Sequence, residues 1–450
     1  MDSLNELVSK IAGLIWGVPL LILLAGTGIF LTIRLHGLQI RHLAKAIHLA
    51  FFERSPSKDS GTEGDISRFQ ALMTALSATI GTGNIVGVAT AVSLGGPGAL
   101  FWMGAIAFFG MATKYSEALL AVKYRVKNEH GKISGGPMYY IERGLGLKWL
   151  AVLFAAFGAL AAFGIGNTVQ ANAVATNVEQ LLNIPPLITG IVLAALIALV
   201  LLGGIQSIAR SAAVLVPFMA SLYFIGCLVI LARYATEIPA AAILVVKHAF
   251  TPVAAQGGFA GATIWYAMRM GIARGLFSNE SGLGSAPIAA AAARTNKPAE
   301  QGLVSMLGTF IDTIIICTMT GLVLIVTGAW DDGSEVAGNL TQHAFTTGMP
   351  LINGGYIVTI GIILFAFTST LGWSYYGAKC VEYLFGLKFS YFYRVLWVGA
   401  VVLGATTHLD LIWGFADIFN GLMALPNLIG LIGLSAVVVS ETKLYLNNKD

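Results

Sequence analysis

Two segments of this sequence set glycine beside hydrogen-bonding side chains, within stretches otherwise suited to lipid. SATIGTGNIVGVAT (Ser77 to Thr90) places Gly81, Gly83 and Gly87 among hydroxyls and Asn84. ARGLFSNESGLGSAPIAAA (Ala273 to Ala291) gathers Gly275, Gly282, Gly284 and Pro287 around Ser278, Asn279, Glu280 and Ser281. Both are poor continuous helices in hydrocarbon, where unwound backbone survives only inside protein or beside a water-filled cavity. A break frees amides at the start of one half-helix, which favour anions, and carbonyls at the end of the other, which accept from cations. Close helix packing is the plain alternative for any single glycine. Polar clusters at corresponding places in two halves of a chain instead mark the paired broken helices of a secondary transporter, with its site at the membrane midplane.

The elements that hold these segments are membrane spans. Of 450 residues, 56% are hydrophobic and only 11% charged, and the mean hydropathy is +0.79. Soluble domains carry roughly a quarter charged residues, so the bilayer is the natural solvent and the expected class is an all-α integral membrane protein. Apolar runs predict about eleven spans, near 12–33, 68–93, 98–124, 149–178, 186–204, 213–235, 258–292, 303–328, 353–385, 391–407 and 411–438. Twenty of the 26 Lys and Arg fall in loops on one side and three (Lys10, Arg233 and Lys247) on the other. The positive-inside rule then puts the N-terminus outside and the C-terminus in the cytoplasm of a bacterial-type plasma membrane. The first apolar run is preceded by Asp2, Glu6 and Lys10 and followed by basic residues from Arg34 onward, the reverse of a signal peptide.

The broken spans are the second and the seventh, so each opens a unit of five helices. Five is odd, and the second unit must therefore enter the membrane from the opposite side. This divides the chain into an extra N-terminal helix with its cytoplasmic loop (1–67), a first five-helix repeat (68–235) and a second repeat with a short tail (236–450).

At these residues the sequence resembles a known family. GGPGALFWMG (Gly95 to Gly104) and GLFSNESGLGSAPIAAAAA (Gly275 to Ala293) resemble signatures of the alanine or glycine:cation symporters, and the likeness runs through WGFADIFNGLMALPN (Trp413 to Asn427). One departure is Gly104, where the family usually has Trp; it is expected on a packing face of the third span. The resemblance implies the LeuT-type 5+5 inverted repeat preceded by one extra helix, and import of alanine or glycine with sodium as the coupling ion and no other cofactor.

A zwitterion at a dry midplane needs donors for its carboxylate and acceptors for its ammonium, because an unpaired charge there costs several kcal/mol. Thr82, Gly83 and Asn84, at the start of the outer half of the second span, are assigned to the carboxylate, with Thr79 a further substrate contact. Freed carbonyls of the inner half, and those around Ser278 and Asn279, accept from the ammonium. The fourth span corresponds to a helix that lines the site in the resembled fold, which singles out Gln170; Asn167, three residues away, is expected on the same face. Phe277 and Trp373 are expected as walls. For sodium, which prefers several hard oxygens, the sequence offers no acidic residue beside the first break. The expected cage joins the carbonyls of Ser77, Ile80 and Phe365 to the hydroxyls of Thr368 and Ser369, in the register of the second sodium site of the resembled fold.

Other intramembrane charges (Glu117, Asp312, Glu382, Asp417, Lys114, Arg269 and Arg274) must be paired or near water. Lys114 and Glu117 have the spacing of a helical pair. Glu280 is either a proton or cation site or a brace between half-helices, the brace being favoured. No GxxxxGK[ST] loop is present, so a gradient rather than ATP is the energy source. GTGNIVG lacks dinucleotide spacing. Cys227, Cys317 and Cys380 have no CxxC pattern, and all seven histidines lie in loops or at span ends. No basic face suggests nucleic acid. A proton-coupled carrier of the same fold, with Glu280 titrating, is the alternative; a channel and a membrane enzyme are more distant ones. No nucleophile–base pair or metal set stands at one depth.

Overall fold

The computed structural model describes residues 2–53, 61–251, 264–331, 337–407 and 410–447. Among these, eight helices are long and apolar enough to cross a membrane, and a bent pair makes a ninth. In chain order the principal helices are α1 (Leu4–Arg34), α2 (Leu43–Phe52), α3 (Arg68–Thr79), α4 (Gly83–Gly95), α5 (Gly98–Lys123) and α6 (Pro137–Leu145). Next come α7 (Lys148–Leu182), α8 (Pro186–Leu202), α9 (Gly204–Arg233), α10 (Ile238–Phe250), α11 (Ile264–Asn279) and α12 (Pro287–Ala290). The series ends with α13 (Pro298–Val326), α14 (Ala337–Gly348), α15 (Gly355–Phe385), α16 (Leu387–Thr406), α17 (Asp410–Gly433) and α18 (Ser435–Asn447).

Local sequence explains the boundaries. Ser67 and Gln70 form a reciprocal capping box that starts α3. The chain then bends by 56° between α3 and α4, at Ile80 to Thr82. A second break separates α11 from α12, where Glu280, Gly282 and Gly284 all take positive φ. Glycine reaches that region without strain; Glu280 is the costly member and is held by its surroundings.

Burial sorts the helices into a core and a shell. Helix α5 is 83% buried over its most apolar window and α9 only 39%, so α5 is surrounded by protein while much of α9 faces outward. Helices α11 and α13 pack mainly on α5, α7 on α15 and α17, and α8 on α16. The outer helices expose Leu202, Val214 and Val395, as a lipid-facing surface does.

The observed elements differ from expectation in places. Helix α1 begins some eight residues before the predicted first span and bends at Gly17, ahead of Pro19. Helix α9 starts at Gly204, so Arg210 stands on a helix rather than in a loop. Helices α2, α6, α10 and α14 were not anticipated, because short apolar or amphipathic stretches carry too little hydropathy to register as spans. The start of the predicted seventh span (258–263), and Arg54, Lys58, His408 and Lys449, lie outside the described residues. No atom lies within 4 Å of where a Cβ on Gly104 would be, so this position is not the packing face expected of it.

Candidate functional site

The two breaks meet at the centre of the bundle. A Cβ on Gly83 would lie 3.3 Å from the Cα of Ser278 and 3.6 Å from the ring of Phe277, so the absence of a side chain lets the broken segments touch. Asn84 is fully buried: its side-chain oxygen accepts from the amide of Gly81 at 2.9 Å. Its amide nitrogen donates to the carboxylate of Asp312 at 2.7 Å and to the Asp312 carbonyl at 3.1 Å. The hydroxyls of Ser278 (2.9 Å) and Thr313 (2.7 Å) donate to the other carboxylate oxygen, and Asn279 donates to Thr313 at 3.1 Å.

The sequence marks Asp312 as an intramembrane charge needing partners but does not assign it to the first break. An acidic group does stand beside the first break, brought there from α13, which corrects the expectation that only neutral oxygens were at hand. The available signal was an Asp in an apolar run, which marks function by default but does not name its partner. Asn84 is correspondingly committed to Gly81 and Asp312. The assignment of this side chain to a carboxylate ligand is therefore replaced by a role in holding the break and Asp312 together.

Of the proposed sodium ligands, Ser77 and Ser369 approach across α3 and α15, while the Thr368 hydroxyl is turned to Met219 of α9. The Ser369 hydroxyl donates to the carbonyl of Ala78 at 3.4 Å and lies 3.0 Å from where a Cβ on Gly81 would be. Gly372 leaves room for the Ser77 hydroxyl, which donates to the Thr74 carbonyl at 2.8 Å. Thr368 donates to the Phe365 carbonyl at 3.0 Å, the local back-bond common for helical Thr. Ile80 and Phe365 are both fully buried beside the contact between α3 and α15.

Of the substrate candidates, Thr82 begins the second half of the broken span, and Thr79 is turned elsewhere. The Thr79 hydroxyl bonds to the Ala75 carbonyl at 3.3 Å, and the side chain lines a small cavity with Lys114 and Ser305. Trp373 is seated on Gly166, whose hypothetical Cβ would overlap the Trp373 Cβ at 2.1 Å. Gln170 stands one turn further along α7, donates to the Ile165 carbonyl at 3.0 Å and leaves its side-chain oxygen unpartnered. Asn167 does not share its surroundings, for it donates to the carbonyl of Trp397 in α16 at 2.8 Å; residues 162–168 form wide π-type turns that change the register.

Lys114 and Glu117 make no contact ion pair, although Lys114 stays within electrostatic reach of the carboxylate. Glu117 instead accepts from Asn427 at 2.7 Å and from the Gly282 amide at 3.2 Å, bracing the second break, while the Lys114 ammonium has no hydrogen-bond partner. Glu280 takes the Ser285 hydroxyl across the same break and faces Trp373. That geometry is the brace favoured from sequence.

On the side rich in Lys and Arg, the breaks are sealed. Residues before α3 pair with residues after α12: Asp65 donates to Ala292 at 2.8 Å and Arg294 to Ile66 at 2.8 Å. The Arg125 guanidinium donates to the carbonyls of Glu63 (3.0 Å), Ala291 (3.0 Å), Ala293 (2.8 Å) and Thr295 (2.7 Å). Buried Arg68 joins Glu53 (2.7 Å) and Glu300 (2.6 Å). At the exposed rim, the Lys127 hydrogen bond holds the Glu63 carboxyl below the usual carboxylate range. A cavity of about 290 Å³ on this side is lined by Asp65, Tyr375 and Lys379, and another of about 280 Å³ between α1, α11 and α17 is lined by Phe277.

This chain is similar to known transporters. The profile of the sodium:alanine symporter family matches residues 1–450. The chain is 55% identical to the sodium/alanine symporter AgcS of Methanococcus maripaludis, over 99% of this chain and 98% of that one. It is 54% identical to an uncharacterized transporter of Haemophilus influenzae, over 98% and 96% of the two chains. Its fold is similar to that of MhsT, solved in complex with L-phenylalanine, at a TM-score of 0.57 and 14% identity, over 85% of this chain and 99% of that one.

Proposed function

The chain belongs to the sodium:alanine symporter family, and we propose that it imports alanine and glycine together with sodium by alternating access. It is a multi-pass membrane transporter and not an enzyme. The observation that carries the reading is the meeting of two broken spans around Asp312. The Asp312 carboxylate takes hydrogen bonds from neutral donors only, with Lys114 in electrostatic reach but not in contact, so a cation seated at the carboxylate would offset the cost of its burial. Asp312, Ser278 and the carbonyls at the breaks are hard oxygens of the kind sodium takes. A second sodium position at Ser77, Ile80, Phe365, Thr368 and Ser369 would tie the first break to α15.

The substrate sits between Thr82 and Gly83 on one wall and Ser278, Asn279, Phe277, Gln170 and Trp373 on the others, with room for a hydrogen or methyl side chain. Sodium binding favours the arrangement open to the outside; coupling requires both ligands to prefer the same state. In this reading the sealed side is cytoplasmic, the N-terminus lies outside, and about eleven spans divide into the repeats 68–235 and 236–450.

The test is uptake of labelled alanine by the purified protein in liposomes, with and without an inward sodium gradient. Uptake that collapses when choline replaces sodium supports the reading. Uptake driven equally well by a proton gradient alone, or a conductance that does not saturate with alanine, would overturn it.

A further inference from the structure

A cavity of about 280 Å³ lies between α1, α11 and α17, and Asp312 is not among its lining residues. Its walls carry opposite charges. Arg269 and Arg274 project from α11, and Asp417 faces them from α17, with Trp16, Ala273 and Phe277 supplying the apolar surface. Arg274 is close enough to act electrostatically on Asp417, yet the two form no ion pair among the described residues. The Arg274 guanidinium instead rests over the Phe277 ring, 5.9 Å from its centre. A positive and a negative group held apart across a cavity, at the edge of an apolar bundle, leave each other's hydrogen-bonding capacity unused.

We propose that this cavity is a separate, sodium-independent binding site for the zwitterionic amino acid, occupied before the substrate reaches the midplane. The proposal rests on the transport reading above. Arg274 presents a planar fork that matches a carboxylate bidentately, and Asp417 accepts from an ammonium. Both charges of the ligand are answered by protein groups, so no metal ion is needed here, unlike the site at the breaks. The volume exceeds what alanine requires, so waters share the space and affinity is low; tight small-molecule sites enclose most of the ligand surface. Position supports a sequential role. Phe277 lines the cavity and also approaches Gly83, and the following residue, Ser278, is hydrogen-bonded to Asp312. The additional N-terminal helix gains a function as well: the Trp16 indole donates to the Asp417 carbonyl at 2.9 Å, fixing α1 as the third wall.

The experiment is alanine binding to the purified full-length chain in nanodiscs, with choline replacing sodium, read by equilibrium dialysis of labelled alanine. The expected result is saturable binding in the millimolar range that Arg274→Gln and Asp417→Asn each weaken at least tenfold. Arg274→Lys should restore part of the loss, alaninamide should fail to compete, and Thr368→Ala/Ser369→Ala should leave the sodium-free binding unchanged. Melting temperature and gel-filtration profile, compared with the native chain, establish that each variant is folded; should Arg274→Gln fail that criterion, Asp417→Asn decides. Absence of sodium-free binding in a protein whose sodium-driven uptake is intact would overturn the proposal alone, as would binding indifferent to both charge variants. Loss of sodium-driven uptake in the native protein would instead overturn the transport reading.

Discussion

Asn84 and Asp312 are joined by a 2.7 Å hydrogen bond that ties the first broken span to α13 across 228 residues of sequence. The same Asn84 side chain closes onto the Gly81 amide at 2.9 Å, so the geometry of the break and the position of the carboxylate are set together. Ser278 brings the second break to the same carboxylate at 2.9 Å. A cation at Asp312 would therefore be felt by both breaks at once.

The first prediction follows from that link. Asp312→Asn keeps the volume and removes the charge, and hydrogen bonds to charged groups are worth about 1.5–3 kcal/mol each. The sodium concentration for half-maximal alanine uptake should rise at least tenfold in liposomes. A sodium curve that matches the native one would take Asp312 out of the ion site.

The second concerns the hydroxyls of α15. Replacing Thr368 and Ser369 together with Ala deletes two neutral oxygens of α15, the one on Ser369 beside Ala78 and Gly81, while changing little of the packing. The half-saturating sodium concentration should increase severalfold with protein yield preserved. Unaltered sodium dependence would show that these hydroxyls only back-bond within their helix.

What the sequence made legible, and what it did not, divides along the range of the interactions. The breaks were readable because glycine and polar residues inside apolar runs contradict a continuous helix locally. Asp312 was not placed, because nothing near residue 84 reports that residue 312 will fold against it. Lys114 and Glu117 were misjudged for the same reason: helical spacing allows the pair, but Asn427, 310 residues from Glu117, supplies a better-placed donor. Asn167 and Gln170 parted company through the π-type turns, which shift register without a sequence mark as clear as proline.

The third prediction is substrate size. Gly83 already approaches the Ser278 backbone, and Trp373 is wedged on Gly166, so the space between them tolerates little growth. Each methylene forced into a packed site costs about 1–3 kcal/mol. Binding titrations in sodium should rank glycine and alanine well ahead of valine and leucine, and Trp373→Ala should narrow the gap. Tight leucine binding by the native protein would contradict both walls.

The fourth addresses the sealed side. Arg125 alone donates to four carbonyls flanking the two breaks, all within 3.0 Å. Arg125→Gln removes the charge and most of the donors, so hydrogen exchange of peptides covering 291–295 should quicken at least tenfold. Exchange at the native rate would mean that the backbone pairing of Asp65 and Arg294 seals this side without the guanidinium.

The last prediction tests the lysine without a partner. Lys114 is only 3% exposed, its ammonium makes no hydrogen bond, and the small cavity beside it has room for about one water. Such a cation persists in an apolar bundle only if nearby negative charge offsets its desolvation, and it lies within electrostatic reach of Glu117 and Glu280, both of which brace the second break. Lys114→Met should therefore lower the melting temperature even though no hydrogen bond is lost, because the buried carboxylates lose the positive charge that offsets them. Lys114→Met combined with Glu280→Gln should recover part of the loss, because it removes one of the carboxylates left behind. Glu280→Gln alone should be the milder change, since Gln keeps an acceptor for the Ser285 hydroxyl. Thermal unfolding in detergent, compared across the three variants, measures this coupling directly. If Lys114→Met melts with the native protein, the lysine is not the counter-charge of Glu117, Glu280 or Asp312.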